Sequence, residues 1–251
     1  MDFARTAAVA ARLEVVPQSP STNAELRERA ADLPHLAALL TLDQTAGRGR
    51  LDRSWTTPPG AALAISVLLR DLPARPEALG WVPLAAGAAM SDAVAAGLPG
   101  HEVGVKWPND VLVDGRKICG ILAEAAGGAV VLGAGVNTAM TAEQLPVPTA
   151  TSFAALGVSV DVDRLAADFL SGLDLLLTGL VTAGDAEESG LRRAVEERCL
   201  TIGQDVAVSL PDGSALRGRA RGLDDGGRLV VDADGELRPV SAGDVVHVRP
   251  V

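Results

Sequence analysis

The sequence predicts an α+β protein, in which a mixed β-sheet with helices is followed by a small all-β domain. Three observations lead there. Apolar runs of strand length alternate with Ala-rich helical stretches through residues 1–198. From Cys199 onward the texture changes to five short strand-like segments, some separated by turn residues, and a small β-barrel is the natural expectation. The chain has 251 residues, 48% of them hydrophobic, which suits one large domain with an ample core plus a small one. The expected division is 1–198 and 199–251.

Taken in order, residues 3–12 and 24–32 read as helices, with a Pro/Ser-rich turn over 17–23 between them. Residues 37–42 form a short apolar strand, 44–57 a Gly/Arg-rich stretch, and 61–69 a second apolar strand. Residues 77–96 are apolar on helical spacing and predict a buried helix. Strands are expected at 103–106, 111–113, 117–125 and 129–136, where Asp114-Gly115 and Gly127-Gly128 suit tight hairpin turns. Helices return at 162–180 and 191–198. The C-terminal strands are 204–210, 216–223, 228–232, 237–240 and 245–248, with Pro211-Asp212-Gly213 and Asp225-Gly226-Gly227 as turns.

Composition narrows the function. Lys plus Arg is 22 and Asp plus Glu is 32, so the net charge is 22 − 32 = −10, unlike the basic surfaces that bind nucleic acid. Cys119 and Cys199 make neither a CxxC pair nor a Cys/His metal spacing, so a reducing, cytoplasmic setting is expected. No signal-like segment opens the sequence, and the apolar run 60–69 is short of the ~20 residues needed to cross a bilayer. No membrane partner is expected.

Five motifs are suited to chemistry. Gly47-Arg48-Gly49-Arg50, extended through Arg53 and Trp55, puts flexible backbone beside guanidinium forks that match carboxylate and phosphate oxygens. It is not a phosphate loop of the GxxxxGK[ST] type. Lys106-Trp107-Pro108-Asn109-Asp110 places an amide and a carboxylate in a turn after a strand, since the residue before a proline is extended. In Arg116-Lys117-Ile118-Cys119-Gly120-Ile121-Leu122, strict alternation sends Lys117 to the side of Cys119 and Ile121. A lysine there is costly unless its ammonium meets an anion or reaches water. Cys119 is expected to pack beside the site rather than react. Ser21-Thr22-Asn23 precedes Glu25, and Thr22-x-x-Glu25 has the form of a capping box. Gly133-Ala134-Gly135-Val136-Asn137 offers a strand end with room against the backbone.

In this order the motifs STN, QxxGRGRxxRxW, KWPND, GRKxxGIL and GAGVN resemble the biotin protein ligase family, in its monofunctional form without an N-terminal DNA-binding domain. Only 20 residues precede Ser21, too few for such a domain. The resemblance implies a catalytic domain like that of class II synthetases and an SH3-like C-terminal domain. Lipoate ligases and octanoyltransferases share the general fold, but both GRGR and KWPND together are not expected of them.

The resemblance also implies roles. Ser21, Thr22, Asn23 and Gln44 match positions that bind the biotin ring. Gly47, Arg48, Gly49 and Arg50 match a loop that folds over biotin. Arg50 and Lys117 match the catalytic pair that holds the biotin carboxylate and the phosphate it attacks. Arg53, Trp55, Asn109, Asp110 and Asn137 match ATP-side positions. Leu51-Asp52 and Cys119 depart from the usual pattern. The implied reaction activates biotin with ATP to biotinyl-5′-AMP, with Mg²⁺ carried on phosphates and no metal ligands from the protein. Biotin then passes to a lysine of a biotin carboxyl carrier protein, the domain of acetyl-CoA or another acyl-CoA carboxylase. No specific DNA is expected as partner. The C-terminal domain is expected to complete the ATP side or receive the acceptor, so that its deletion preserves biotin binding more than transfer.

Overall fold

The computed structural model describes residues 2–50, 53–73, 75–210, 214–241 and 244–247. The turn at 211–213, the Leu51-Asp52 pair and position 248 lie outside the described residues. A seven-stranded mixed sheet is built from β1 (Arg12–Val15), β2 (Ala37–Thr41), β5 (Ala62–Leu69), β6 (Val103–Lys106), β7 (Asp110–Val113), β8 (Arg116–Ala126) and β9 (Ala129–Asn137). Its order is β1-β2-β5-β9-β8-β7-β6. Only β1 runs parallel to its neighbour, and every other pairing is antiparallel. Two further short strands, β3 (Gly47–Arg48) and β4 (Ser54–Trp55), pair with each other within the Gly/Arg-rich stretch.

The helices are α1 (Ala4–Val9), α2 (Thr22–Glu28), α3 (Pro76–Leu79), α4 (Trp81–Gly97), α5 (Val162–Ala183) and α6 (Leu191–Glu196). They cover the sheet unequally. On one face, Leu40, Ile65, Val67, Leu132 and Val136 pack with α4 and α5 residues such as Leu84, Met90, Phe169 and Leu173. On the other, Leu39, Leu68 and Val131 pack against Leu26 and Ala30 of the α2 region. Strand alternation sorts neighbouring residues between these two cores. The segments Glu77–Gly97 and Val162–Ala183 are long and apolar enough, by length and composition alone, to cross a membrane. Here they pack against each other beside the sheet, which accounts for their apolarity.

Two expectations are corrected. The helix expected over 3–12 ends early and Arg12 opens a strand instead, because α1 stops at an extended Ala10 and Arg12–Val15 then pairs with β2. The single helix expected over 77–96 is split at Gly80. A Cβ at Gly80 would lie within 2.2 Å of the Gly226 carbonyl, so the close approach of another segment requires glycine there. The C-terminal strands are β10 (Asp205–Ser209), β11 (Ala215–Leu223), β12 (Leu229–Ala233), β13 (Glu236–Val240) and β14 (Asp244–His247). They form an antiparallel sheet in the order β13-β12-β11-β10-β14, SH3-like but with no closing pair among the described residues. The hairpin turns at Asp114-Gly115 and Gly127-Gly128 are as expected, with positive φ at all four residues.

The C-terminal sheet does not stand apart. Val206, Val208, Leu229 and Val231 belong to the same continuous core as Trp81, Leu84 and Trp107. Both buried indoles donate to one C-terminal turn: Trp81 Nε1 to the Asp225 carbonyl at 2.8 Å, and Trp107 Nε1 to the Gly227 carbonyl at 3.0 Å. The Trp107 amide donates to Thr201 Oγ1 at 3.0 Å. The backbone of Val105 is bonded on both sides, to the Arg198 carbonyl and from the Leu200 amide. The middle of the sequence is thereby fastened to residues 198–227 just before its KWPND turn.

Candidate active site

Alternation along the central strands leaves a polar hollow on the α2 side of the sheet. Leu68 and Val131 face α2; further along the same faces come Ser66 and Ala64 on β5, and Gly133 and Gly135 on β9. Where the core strands carry large side chains, these positions carry small ones. The cleft they leave is bordered at its rim by Gln44, Arg48 to Arg50 and Arg53 to Trp55, and by the turn before β7.

The first wall is the start of α2. Ser21 is the helix N-cap, and its side chain accepts from the Ala24 amide. The capping box expected at Thr22 and Glu25 is corrected by one position. Thr22 is already helical, and Glu25 instead accepts from Ser19 Oγ at 2.7 Å. Thr22 uses its amide and hydroxyl to hold Gln44 Oε1, at 2.9 and 3.1 Å. Asn23 is nearly buried, and its Oδ1 accepts from Ser66 Oγ at 2.6 Å. A Cβ at Gly133 would fall 2.2 Å from Asn23 Oδ1, so that glycine makes the space the amide occupies.

The second wall carries the charges, and here strict alternation misleads. On β7, Val111 pairs with Cys119, and the next residue, Leu112, pairs with Lys117. Ile118 is therefore an extra residue, a β-bulge, which shifts the alternation by one. Cys119 stays in the core, whereas Lys117 joins Gly120 and Leu122 in lining the cleft. The bulge is held by backbone bonds from the Lys117 amide to the Thr149 carbonyl and from the Thr151 amide to the Lys117 carbonyl. The Lys117 ammonium remains part-exposed and lies 2.6 Å from Asp110 Oδ1. Burial pushes the Cys119 thiol up to about 12, which agrees with a packing role.

The KWPND turn holds two cations side by side. Asp110 pairs with Lys117, and the adjacent Asn109 accepts from Arg50 Nη1 at 2.8 Å. Asn109 is itself fixed, since its Nδ2 donates to the Ile121 carbonyl at 2.8 Å. Trp55 lies against β9, where a Cβ at Gly135 would come within 2.8 Å of its ring. The room expected at GAGVN is thus partly filled by Trp55 and Asn23 themselves.

Of the residues singled out from the sequence, Ser21, Thr22, Asn23, Gln44, Arg48, Gly49, Arg50, Arg53, Trp55, Asn109, Asp110 and Lys117 border this one cleft. Gly47 and Asn137 do not. Gly47 is needed for close packing, because a Cβ there would collide with Gln44 Nε2 and the Trp55 carbonyl. Asn137 is buried and spends its Nδ2 on the Thr151 carbonyl at 2.9 Å, bracing the segment that holds the Lys117 bulge. Two residues escaped the sequence reading. Ser66 is a lone hydroxyl in a wholly buried apolar strand, and that interruption was a usable signal. Glu124 shares a face with Gly120 and Leu122 by simple alternation, and a charge on that face was a second signal.

Known proteins resemble this chain over most of its length. Residues 13–138 match the biotin/lipoate A/B protein ligase family, and residues 201–248 match the biotin protein ligase C terminal domain. The chain is 43% identical over 243 residues to the biotin--[acetyl-CoA-carboxylase] ligase of Mycobacterium tuberculosis, covering 95% of this chain and 90% of that one. It is 32% identical to the bifunctional ligase/repressor BirA of Escherichia coli, covering 92% of this chain and 72% of that one. Among solved structures, the biotin protein ligase from Aquifex aeolicus in complex with biotin and ATP superposes with a TM-score of 0.80 over 96% of this chain and 100% of that one. Identity there is 23%, so this match speaks for the fold. The chain belongs to the biotin protein ligase family.

Proposed function

We propose that the protein activates biotin with ATP and transfers it to a lysine of a carboxylase's biotin carrier domain. The observation that carries this reading is the convergence of Arg50 and Lys117 on one cleft whose other wall is the polar Ser21–Asn23 and Gln44 cluster. A neutral polar ring with a carboxylate tail suits those two walls. The reaction joins two anions, at a high Coulomb cost at short range. A biotin carboxylate oxygen bonds to the α-phosphorus of ATP, the bond to the bridging oxygen breaks, and pyrophosphate leaves. Arg50 and Lys117 offset the repulsion and meet the charge that grows on the phosphate. Their present partners, Asn109 and Asp110, hold them ready and give way to the incoming anions. In the second step the acceptor amine attacks the acyl carbon, gives up a proton, and AMP departs.

Ser21, Thr22, Asn23, Gln44 and the Arg48–Arg50 backbone are assigned to biotin. Arg53, Trp55, Asn109 and Asp110 are assigned to ATP. Gly47 and Asn137 are assigned supporting roles behind the cleft. Among the described residues, no group of three or more His, Cys, Asp or Glu could hold a metal ion, and Asp110 is the carboxylate lining the cleft. Mg²⁺ fits as a cation carried by the ATP phosphates. Residues 1–198 and 199–251 are assigned as catalytic and accessory domains. A cytoplasmic site of action agrees with two free, buried cysteines. Biotin-dependent exchange of pyrophosphate into ATP, followed by labelling of a carrier domain, tests the reading. Exchange driven by lipoate or octanoate and not by biotin would overturn it.

A further inference from the structure

One carboxylate behind the cleft ties three of its parts together. Glu124, on β8, is mostly buried, with 19% of its side chain exposed. Its Oε2 accepts from Asn23 Nδ2 at 2.9 Å. Its Oε1 accepts from Arg27 Nη1 at 2.7 Å and lies 3.4 Å from Arg48 Nη2. Asn23 and Arg27 are one turn apart on α2, and Arg48 comes from β3 at the rim. A negative charge so near a cleft that receives anions is tolerable because two guanidinium groups flank it. Its work there is therefore positional.

The Asn23 amide is fixed from both ends. Its Nδ2 faces Glu124 and the Leu122 carbonyl, and its Oδ1 faces Ser66. Without Glu124 the amide loses its charged acceptor, and Arg48 loses its anion on the sheet. We infer that Glu124 is a positioning residue that fastens the Arg48 rim to the Asn23 wall, and so sets how fast biotin and its adenylate leave the cleft. This rests on the reading of the cleft as the biotin site.

The test uses the full-length protein and three variants: Glu124→Gln, Arg48→Met and the double variant. Biotin dissociation is followed by stopped flow, and exchange turnover is measured at saturating biotin and ATP. Glu124→Gln, which keeps the shape and removes the charge, should speed biotin release about tenfold, with turnover at saturation falling less than about threefold. The double variant should release biotin no faster than the quicker single variant, because both substitutions cut the same tie. A purely structural role would not produce that non-additivity. Unchanged release in Glu124→Gln, or independent effects in the double variant, would overturn the inference. Should Glu124→Gln fail to fold by circular dichroism, salt serves in its place. Release from the unmodified protein should quicken with ionic strength and lose that dependence in Arg48→Met; an equal dependence in both would overturn the inference too. If the unmodified protein neither binds biotin nor exchanges pyrophosphate, the functional reading fails instead.

Discussion

Removing the Lys117 ammonium should separate chemistry from folding. The side chain is 44% exposed, and its ion pair with Asp110, although 2.6 Å long, is open to solvent. Pairs of that kind contribute ~0–1 kcal/mol to stability. The backbone of Lys117, which carries the bulge through Thr149 and Thr151, keeps its bonds in an alanine variant. Lys117→Ala should therefore shift urea unfolding by less than about 1 kcal/mol. Loss of one preorganised charge contact at a transition state typically lowers the rate ~10²–10³-fold, or roughly 3–4 kcal/mol. Equilibrium unfolding and biotin-dependent pyrophosphate exchange, measured on the same preparation, give both numbers. Exchange within about threefold of the parent would refute the assignment of Lys117 to the chemistry. A loss of several kcal/mol in unfolding would refute the claim that its role is separable from the fold.

Gly135→Ala pushes a methyl group to within 2.8 Å of the Trp55 ring, so Trp55 must move. The Michaelis constant for ATP should rise several-fold while calorimetric biotin affinity changes little, and an unaltered value would remove Trp55 from the nucleotide side. Cutting the chain after residue 198 removes the carbonyl acceptors of Trp81 and Trp107 and opens the core they share with the C-terminal strands. That exposure costs on the order of several kcal/mol. The fragment 1–198 should lose its cooperative thermal transition by circular dichroism. Under that outcome the sequence expectation that deletion preserves biotin binding more than transfer has no folded fragment to act on, and a fragment that melts cooperatively and binds biotin would contradict the shared-core argument. The Cys119 thiol, raised to about 12 by burial, is neutral at pH 8 and should resist iodoacetamide in the folded protein, reacting only after denaturation. Alkylation at the native pace of a free thiol would contradict that burial.

Much of this arrangement was legible in the residues. The four strands from 103 to 136 have turn chemistry that fixes their ends, since Asp-Gly and Gly-Gly accept positive φ where other pairs resist it. The cleft was legible because its parts are short polar motifs set in apolar surroundings. What stayed hidden was non-local. Period-2 reasoning placed Lys117 beside Cys119, and no signal in β8 itself announces that Ile118 is bulged out by a neighbouring strand. Residues 12–15 become a strand only because β2 offers them an edge. Asn137 looks like a ligand residue in sequence, yet its amide is claimed by Thr151, fourteen residues away along the chain. Glu124 joins the site through partners on two other elements, which no single stretch of sequence displays.

The positions of the indoles give the protein an optical property. It has three tryptophans and no tyrosine, so light absorbed near 295 nm, and nearly all absorbed at 280 nm, goes to those three. Trp81 and Trp107 are shielded from water and anchored on the 225–227 turn, while Trp55 stands on the cleft. Emission therefore divides into a shielded pair that reports whether the C-terminal sheet is seated, and a single residue that reports what enters the cleft. Titrating ligand into a Trp55→Phe variant beside the parent would read the two signals apart. No external dye would be needed to watch occupancy and domain seating in one cuvette.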